Sequence, residues 1–352
     1  MLVKSLNQKG CEVVNSQNDA RAFWVQEPGK GELVAMQLPT PKTDEILVRT
    51  LFSAISLGTE RLVFRGDVPV SQRLAMRAPF QDGHFPGPVK YGYSNVGKVE
   101  AGPRNLLGHI VFCLYPHQDR YVVSAKSAVP VPAEVPAARA VLAANMETAI
   151  NGLWDAPPVI GSKVIVVGAG VVGCLMAYLA GRIPGVEVQL VDTNPEKRAV
   201  ADALGVRFSG TNSVVGEADL VIHASGAPEG LNTALQFAGF EATVLEMSWF
   251  GARIVPLSLG ESFHSKRITL RSSQVGAIGA TQRPRWSKHR RLVLALELLA
   301  DDALDCLLSG QSRFGDLPVT MERLAMEPSS ELCHRIVYPG ADADIFASKE
   351  GK

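Results

Sequence analysis

The sequence lacks an excess of charge of either sign, a cysteine framework and a long uninterrupted hydrophobic run. Its 35 basic side chains balance 35 acidic ones, so no net charge favours a nucleic-acid or anionic-membrane partner. The five cysteines form no CxxC pair, which indicates reduced thiols. The longest apolar run, residues 164–180, is interrupted by glycines, and the N-terminal stretch has no signal-peptide pattern. These absences predict a cytoplasmic protein with neither a nucleic-acid nor a membrane partner.

What is present is a globular composition, 46% hydrophobic and 20% charged, over 352 residues. This composition excludes a disordered or fibrous protein, and the length suggests about two domains of roughly 150 residues. Residues 22–136 contain short β-like runs separated by Pro and Gly, and a helical pattern follows at 137–156. From 162 to 279, apolar strand-like runs alternate with helical stretches, which predicts a parallel sheet covered on both faces. A further helical pattern covers 289–308.

A GxGxxG motif, formed by Gly168, Gly170 and Gly173, follows the strand-like run KVIVV and begins a helical stretch. In such a motif the first glycine makes the tight turn, the second lets the backbone approach a pyrophosphate, and the third lets helix pack closely on strand. The helix N-terminus supplies free N–H groups for phosphate oxygens. The motif therefore predicts a dinucleotide site, which would include Val171 and Val172. The alternative is that the glycines serve packing and turns alone.

An acidic residue, Asp192, ends the next strand-like run, 19 residues after Gly173. Its carboxylate would accept hydrogen bonds from the ribose hydroxyls and repel a 2′-phosphate, which favours NAD over NADP. Thr193 is its neighbour and a further candidate cofactor contact. Lys197 and Arg198 could accept a 2′-phosphate, but we interpret them as solvated charges on the following helix.

The order of these parts resembles the medium-chain dehydrogenase/reductase superfamily, the zinc-type alcohol dehydrogenase-like proteins. The stretch KYGYSNVGKVEAG is similar to the subgroup of threonine dehydrogenase-like and bacteriochlorophyllide dehydrogenase-like members. The resemblance implies an α/β protein with a GroES-like β-rich catalytic domain and an inserted Rossmann domain, a doubly wound parallel sheet. The implied boundaries are 1–146 for the first part of the catalytic domain, 147–285 for the NAD-binding domain and 286–352 for the return to the catalytic domain.

The family's zinc ligands are replaced at each position that we can match. Leu57, or Ser56 under a one-residue shift, matches the cysteine, and Tyr93 followed by Ser94 matches the His-Glu pair. The third ligand position falls near Ala144, and the four-cysteine lobe of a structural zinc has no counterpart. Zinc needs several soft or charged donors at tetrahedral spacing. The sequence therefore predicts an enzyme without zinc and without another metal site.

Without zinc, hydrogen-bond donors must stabilise the substrate oxygen. Thr59 matches the family position whose hydroxyl begins the proton relay, and Tyr93 would point into the same cavity, so we expect the two to converge. His117 follows one strand-like run and precedes another, on a loop that could line the cleft. These three residues are the candidate catalytic groups. The alternatives are that Tyr93 packs in a strand, that Thr59 is a turn residue, and that His117 is structural.

Further cofactor contacts are implied by the resemblance and by strand ends, where ligands bind in open α/β sheets. Thr148 matches the residue that lies against the nicotinamide, and Ser225 and Met247 follow two strand-like runs. Glu147 is interpreted as a charge on a helix face, with a buried functional carboxylate as the alternative. Trp249 would either stack on substrate or fill the domain interface.

The leading hypothesis is a zinc-independent, NAD-dependent dehydrogenase that acts on an alcohol or carbonyl group of a small molecule. One alternative is a quinone or enoyl reductase that uses NADPH, and another is a non-catalytic NAD-binding protein. The alternating stretch at 268–272 is expected to be an exposed sheet edge that pairs across a two-fold axis, which predicts a homodimer.

Overall fold

The computed structural model describes residues 19–214, 216–327 and 329–341. The first 18 residues, with Cys11, lie outside these ranges. The N-terminal strands are β1 Asp19–Glu27, β2 Lys30–Gln37, β3 Glu45–Ile55, β4 Asp82–Gly83, β5 Val89–Lys90, β6 Asn95–Ala101, β7 Ile110–Cys113, β8 Arg120–Ser124 and β9 Ala128–Pro130. Three helices accompany or follow them: α1 Thr59–Arg65, α2 Ala137–Ala140 and α3 Ala143–Asp155.

The middle of the chain forms a six-stranded parallel sheet, as the alternating pattern predicts. Its strands are β10 Lys163–Val167, β11 Glu187–Val191, β12 Arg207–Ser209, β13 Ala218–His223, β14 Ala238–Glu246 and β15 Thr269–Ser272. The helices between them are α4 Val171–Ala180, α5 Lys197–Ala203 and α6 Pro228–Phe237. The strand order is β12-β11-β10-β13-β14-β15, which is the doubly wound order of a dinucleotide-binding sheet.

The last described part of the chain returns to the N-terminal sheets. It contains α7 Lys288–Glu297, β16 Leu308–Arg313, α8 Leu317–Met326 and β17 Cys333–Val337. β17 pairs antiparallel with β3 in a seven-stranded sheet of order β16-β17-β3-β6-β7-β9, with β8 also pairing β3. A four-stranded sheet of order β2-β1-β5-β4 completes this β-rich unit. The predicted fold class is thus confirmed.

Helix α3 joins the two units and supplies one partner of a buried ion pair. α3 packs against α4 and α7. Glu147 on α3 and Arg291 on α7 lie 2.9 Å apart (Glu147 Oε1 to Arg291 Nε), with only 4% and 1% of each residue exposed. The interpretation of Glu147 as a charge on a helix face is therefore wrong, because α7 covers that face and brings a cation to it.

Helix α7 is shorter than the sequence pattern predicts. It ends at Glu297, and two short 3₁₀ helices follow it, Leu298–Ala300 and Asp302–Leu307. The Asp301 side chain accepts a hydrogen bond from the N–H of Ala303, so it begins a new turn where the helix would have continued. Among the described residues, none of the helices is both long and apolar enough to span a membrane.

Candidate active site between the two units

A cavity of about 670 Å³ lies where the carboxyl ends of β10, β13 and β14 face α1 and α3. Loops of the sheet unit line one side, and the first turn of α1, Tyr93 and the segment before β17 line the other. Ligands of open α/β sheets bind at this edge, where the strand order reverses. The two units also touch beside the cavity, where the Ala252 N–H donates to the Asp67 carbonyl at 3.1 Å.

The glycine-rich turn has the geometry of a phosphate-binding turn. Gly168 has φ +108°, and a Cβ there would lie 2.5 Å from the Ser225 nitrogen, so a larger residue is excluded. A Cβ on Gly173 would overlap the Gly168 carbonyl oxygen. A Cβ on Gly170 would meet no atom within 4 Å, because Gly170 borders the cavity just before α4. This open space before the free N–H groups of α4 fits a pyrophosphate. Val171 and Val172 line the same space.

The Asp192 carboxylate is fixed at the cavity wall by backbone donors. Its Oδ2 accepts from the Ala169 N–H at 2.7 Å, and its Oδ1 accepts from the Asn194 N–H at 2.8 Å. Each oxygen keeps a lone pair for a ribose hydroxyl. The structure does not place Thr193 with it: Thr193 is exposed, because the chain turns after Asp192 so that Asn194 lines the cavity. The assignment of Thr193 as a cofactor contact stays a prediction.

The two cations beyond Asp192 have different environments. Arg198 is exposed, with its guanidinium 5.0 Å from the centre of the Phe208 ring. Lys197 lines the cavity, and its ammonium donates to the Ser330 carbonyl on the other unit. Lys197 is thus only partly solvated, because the segment before β17 meets the start of α5.

The strand ends beyond the glycine turn place the other predicted cofactor contacts on the wall. Thr148, Ser225 and Met247 all line the cavity. Behind them the His223 ring is fully buried, with Nε2 at 2.6 Å from Ser225 Oγ and Nδ1 at 2.6 Å from Glu246 Oε2. This histidine fixes the Ser225 hydroxyl against the cavity. The Thr148 hydroxyl donates to the Ala144 carbonyl at 2.9 Å, within α3.

Three hydroxyl groups converge on the opposite wall. Tyr93, Thr59 and Ser56 all line the cavity, so their hydroxyl groups share one wall. Burial and the nearby Glu60 carboxylate raise the pKa of Tyr93 to about 12, although the neighbouring Ser56 and Thr59 side chains oppose the change. The phenol is therefore protonated, and able to donate, across the physiological range. The expected convergence of Thr59 and Tyr93 is observed, and Ser56 is an additional member.

His117 does not lie on the cavity wall. It is 1% exposed and stands behind the wall, with Nε2 at 2.8 Å from Glu60 Oε2 and Nδ1 at 2.7 Å from Ser53 Oγ. Its carbonyl accepts from the Phe23 N–H at 2.9 Å, so β1 covers the loop that carries it. The prediction that His117 lines the cleft is wrong for this reason.

The positions that match zinc ligands in the family carry other interactions here. Leu57, like Tyr93 and Trp249, is partly buried and packs against an apolar cluster. Ser94 is buried and donates its hydroxyl to the Val141 carbonyl, and Ala144 is buried in α3. Within the described ranges, no three His, Cys, Asp or Glu side chains group closely enough to hold a metal ion.

Sequence reasoning missed several polar wall residues. Arg61 and Arg65 line the cavity from α1 and also donate to the Glu327 and Ala325 carbonyls near the end of α8. Arg253 lines it from the loop after β14, where Trp249 also lies. The i, i+4 spacing of the two α1 arginines was a usable signal, because α1 begins within the motif-like stretch at 57–60. The position of Arg253 on the cavity wall could not be predicted, because it depends on how the loop after β14 folds back.

Comparison with known proteins agrees with this architecture. D-guloside 3-dehydrogenase of Escherichia coli K12 is 27% identical over 170 residues, which are 45% of this chain and 49% of that protein. The chain thus spans about half the length of the curated relatives it matches. No family model matches the chain.

Two solved structures share the fold over most of the chain. One is an alcohol dehydrogenase from Escherichia coli CFT073 complexed with NADH, with TM-score 0.71 and 15% identity over 91% of this chain and 99% of that one. The other is Staphylococcus aureus TarJ in complex with NADPH, with TM-score 0.69 and 14% identity over 91% and 99%. The chain therefore has the fold of the medium-chain dehydrogenases/reductases, a GroES-like β-rich unit with an inserted Rossmann sheet.

Proposed function

We propose that this protein is an NAD-dependent oxidoreductase that interconverts an alcohol and a carbonyl group on a small molecule, without zinc at the catalytic position. One observation carries the proposal. A single cavity joins an open glycine turn and a fixed Asp192 carboxylate to the hydroxyl cluster of Ser56, Thr59 and Tyr93. A dinucleotide bound at the glycine turn and Asp192 would direct its reactive end towards the hydroxyl cluster.

NAD supplies the hydride acceptor when it is bound. The residues of the chain bind and orient the cofactor and stabilise the substrate oxygen. The N-terminus of α4 receives the pyrophosphate, and Asp192 receives the ribose hydroxyls. The Tyr93 and Thr59 hydroxyls donate hydrogen bonds to the substrate oxygen, where charge develops as hydride leaves or arrives. This assignment needs no ligand at the zinc-matching positions, where Leu57 and Ala144 offer none.

NAD is favoured over NADP because the Asp192 carboxylate lies where a 2′-phosphate would come. Lys197 on the same wall weakens that preference, since an ammonium attracts a phosphate. The ammonium has three N–H donors and gives one to the Ser330 carbonyl, so the preference for NAD rests on Asp192.

The test is a screen of alcohols and carbonyl compounds with NAD and NADP, with metal analysis on the same sample. We expect NAD binding, NAD-linked turnover of an alcohol, and no stoichiometric zinc. NADPH-linked reduction of conjugated C=C bonds would replace the proposal with an enoyl or quinone reductase. One tightly held zinc per chain would overturn the zinc-free assignment.

The Tyr93→Phe variant tests the hydroxyl cluster directly. It keeps the ring that packs at 6.0 Å from Tyr91 and removes only the donor. Loss of one such donor lowers turnover by about 10²–10³-fold, and we expect NAD affinity to be unchanged. Steady-state kinetics with the substrate from the screen measure both. Full turnover in Tyr93→Phe would make Tyr93 a packing residue.

A further inference from the structure

Three arginine side chains on the cavity wall have no role in the proposed hydride transfer. Arg61 and Arg65 belong to α1, and Arg253 belongs to the loop after β14, so both units of the molecule contribute to the group. We call these three residues the arginine cluster. A guanidinium keeps its charge at every pH at which a protein is folded. The cavity wall therefore carries three permanent positive charges from this cluster alone.

The loop that carries Arg253 touches the end of α1. The Ala252 N–H donates to the Asp67 carbonyl at 3.1 Å, just beyond the last residue of that helix. Arg253 Nη2 donates to the Gly226 carbonyl at 2.7 Å, which holds the side chain beside the ends of β13 and β14. The arginine cluster thus spans the junction of the two units, and backbone contacts fix its position from both sides.

Few of the guanidinium donors are used within the protein. Arg61 Nη2 donates to the Glu327 carbonyl at 3.2 Å, and Arg65 Nη2 donates to the Ala325 carbonyl, both near the end of α8. Arg61 Nε is buried and has no hydrogen-bond partner in the described part of the chain. Each guanidinium has five N–H donors, so most of them are left for a ligand.

The described partners of the arginine cluster are backbone carbonyls. Within the ranges that the structure describes, none of the three guanidinium groups pairs with a carboxylate. Carbonyls at the end of a helix favour a nearby cation, which explains how α1 can place two like charges four residues apart beside α8. Carbonyl dipoles lower the cost of these charges but do not neutralise them.

The acidic residues on the cavity wall do not balance the cluster. Asp67 is exposed and offsets at most one of the three charges. Asp192 lies on the sheet unit, where Lys197 offsets it. Glu331 already pairs with Arg323, whose Nη1 lies 2.9 Å from Glu331 Oε1. The wall near α1 thus keeps an excess of positive charge, which favours an anionic ligand.

Helix α1 also carries one of the cavity hydroxyls. Thr59 is its first residue, and Arg61 and Arg65 follow two and six residues later. At about 1.5 Å of rise per residue, the two arginines lie roughly 3 and 9 Å along the helix axis from Thr59. The glycine turn, which fits the cofactor's pyrophosphate, belongs to the other unit. A molecule whose oxygen meets Thr59 could therefore place an anionic group several bonds away against the arginines.

We propose that the arginine cluster binds a phosphate group of the substrate, so that the protein acts on a small phosphorylated alcohol or the corresponding carbonyl compound. A phosphate monoester carries a charge of about −1.5 to −2 near pH 7 and three acceptor oxygens. These properties match three guanidinium groups better than the single charge of a carboxylate does. That the bound molecule is the substrate rests on the proposed function, whereas binding itself can be measured without turnover.

Isothermal titration calorimetry of the full chain, saturated with NAD, tests the proposal with glycerol, glycerate and glycerol 3-phosphate. We expect glycerol 3-phosphate to bind most tightly. Arg65→Gln and Arg253→Gln should each weaken its binding by about ten- to a hundredfold, because each removes charge-assisted hydrogen bonds. Arg104→Gln is the control, because Arg104 is exposed between β6 and β7 and away from the cavity wall.

Titration of NAD into the same variants separates the substrate from the cofactor as the source of the phosphate. NAD affinity should be unchanged in Arg65→Gln and Arg253→Gln. Weaker NAD binding in both, or loss of glycerol 3-phosphate binding once NAD is present, would assign the cluster to the cofactor and overturn the proposal. Equal affinities for glycerol 3-phosphate and either other probe, or binding that neither substitution weakens, would also overturn it.

Failure of the proposed function would give a different result. An unmodified protein that binds no NAD contradicts the dehydrogenase assignment, and the glycerol 3-phosphate titrations can then be made without NAD. Their dependence on Arg65 and Arg253 would still show whether the cluster binds phosphate.

Discussion

At the scale of single residues, the Asp192 carboxylate has a structural role and a proposed role in cofactor binding, and both use the same two oxygens. Its carboxylate accepts from Asn194 in the turn after β11 and from Ala169 in the glycine turn after β10, and it lines the cavity. A carboxylate has about four acceptor sites, so both functions can be met together. Substitution should therefore affect cofactor binding more than folding.

We expect Asp192→Ala to weaken NAD binding by about ten- to a hundredfold, since hydrogen bonds to a charged group contribute about 1.5–3 kcal/mol. The same change removes repulsion of a 2′-phosphate, so the difference in affinity between NAD and NADP should become smaller. Thr193→Ala is the matched control, because its side chain is exposed beside the site. Titration of each variant with both nucleotides measures the effect. Tighter binding of NADP by the unmodified protein would contradict the cofactor assignment.

The role of a single residue could be predicted from the sequence where that role depends only on residues nearby in the chain. Gly168 and Gly173 could be assigned because their requirement for small size arises within one strand–turn–helix unit. His117 could not, because its burial depends on β1, which is distant in sequence, and on its pairing with Glu60. Asn194 on the cavity wall was not predicted, because one residue of turn geometry decides whether it or Thr193 faces the cavity.

At the scale of elements, α3 and α7 are held together by charge as well as by apolar packing. Arg291 bonds to Glu147 and Asn151 on α3, and also donates to the Val275 carbonyl at 2.6 Å. Desolvation raises the pKa of Glu147, and the adjacent guanidinium opposes that shift. A pair of this kind is tolerated only while both partners are present.

Arg291→Met should lower the free energy of unfolding by about 3–5 kcal/mol, because it leaves a carboxylate buried without a counter-ion. Urea denaturation followed by circular dichroism measures the loss. The double variant Glu147→Leu, Arg291→Met removes both charges and should regain most of the stability. Equal destabilisation in the single and double variants would show that packing, not charge, joins the helices.

The elements themselves were largely predictable, and their ends were less so. The alternating pattern from 162 to 279 predicted the parallel sheet because strands covered on both faces are continuously apolar. The early end of α7 was missed, because the apolar period continues through Leu298 and Leu299 while Asp301 begins a separate turn. Helix termini depend on such single side chains.

At the scale of the whole molecule, the parallel sheet ends in an exposed edge. All four residues of β15 are exposed, and β15 is the last strand in the order β10-β13-β14-β15. Unpaired strand edges attract other strands unless they are covered. The structure thus retains the feature on which the dimer prediction depends.

We expect a homodimer in solution, formed by β15 pairing with its copy across a two-fold axis. Leu270→Pro removes a backbone donor from this edge and should shift the equilibrium towards monomer. Sedimentation equilibrium of both proteins at micromolar concentration provides the measurement. A monomeric unmodified protein would refute the prediction, and a dimer unaffected by the proline would place the interface elsewhere.

Because several thiols are buried, the free energy of unfolding should depend on pH in the alkaline range. Burial raises the pKa of Cys113, Cys174 and Cys333 from 9.0 to about 12. Above pH 9 the unfolded chain releases these protons while the folded chain keeps them, so unfolding becomes more favourable as pH rises. Each thiol lowers the free energy of unfolding by up to about 1.4 kcal/mol per pH unit.

Urea midpoints measured between about pH 8 and about pH 10.5 should therefore fall steadily. Cys174→Ala should give a shallower fall, whatever its effect at neutral pH. Cys306→Ala is the control, because Cys306 is only half-buried and its pKa is raised less. A flat profile up to pH 10.5, or equal slopes in all three proteins, would contradict the assigned cause.

The position of β17 also has a consequence for the order in which the protein takes shape during synthesis. β17, which begins at residue 333, pairs with residues 52–55 of β3. This part of β3, an inner strand of the seven-stranded sheet, therefore stays unpaired on one side until a partner about 280 residues downstream has been synthesised. The inserted sheet has no such dependence, since its pairings lie between 163 and 272. On the ribosome, the inserted sheet can close first while one side of β3 is still exposed. This interval is when the nascent chain most needs protection from aggregation.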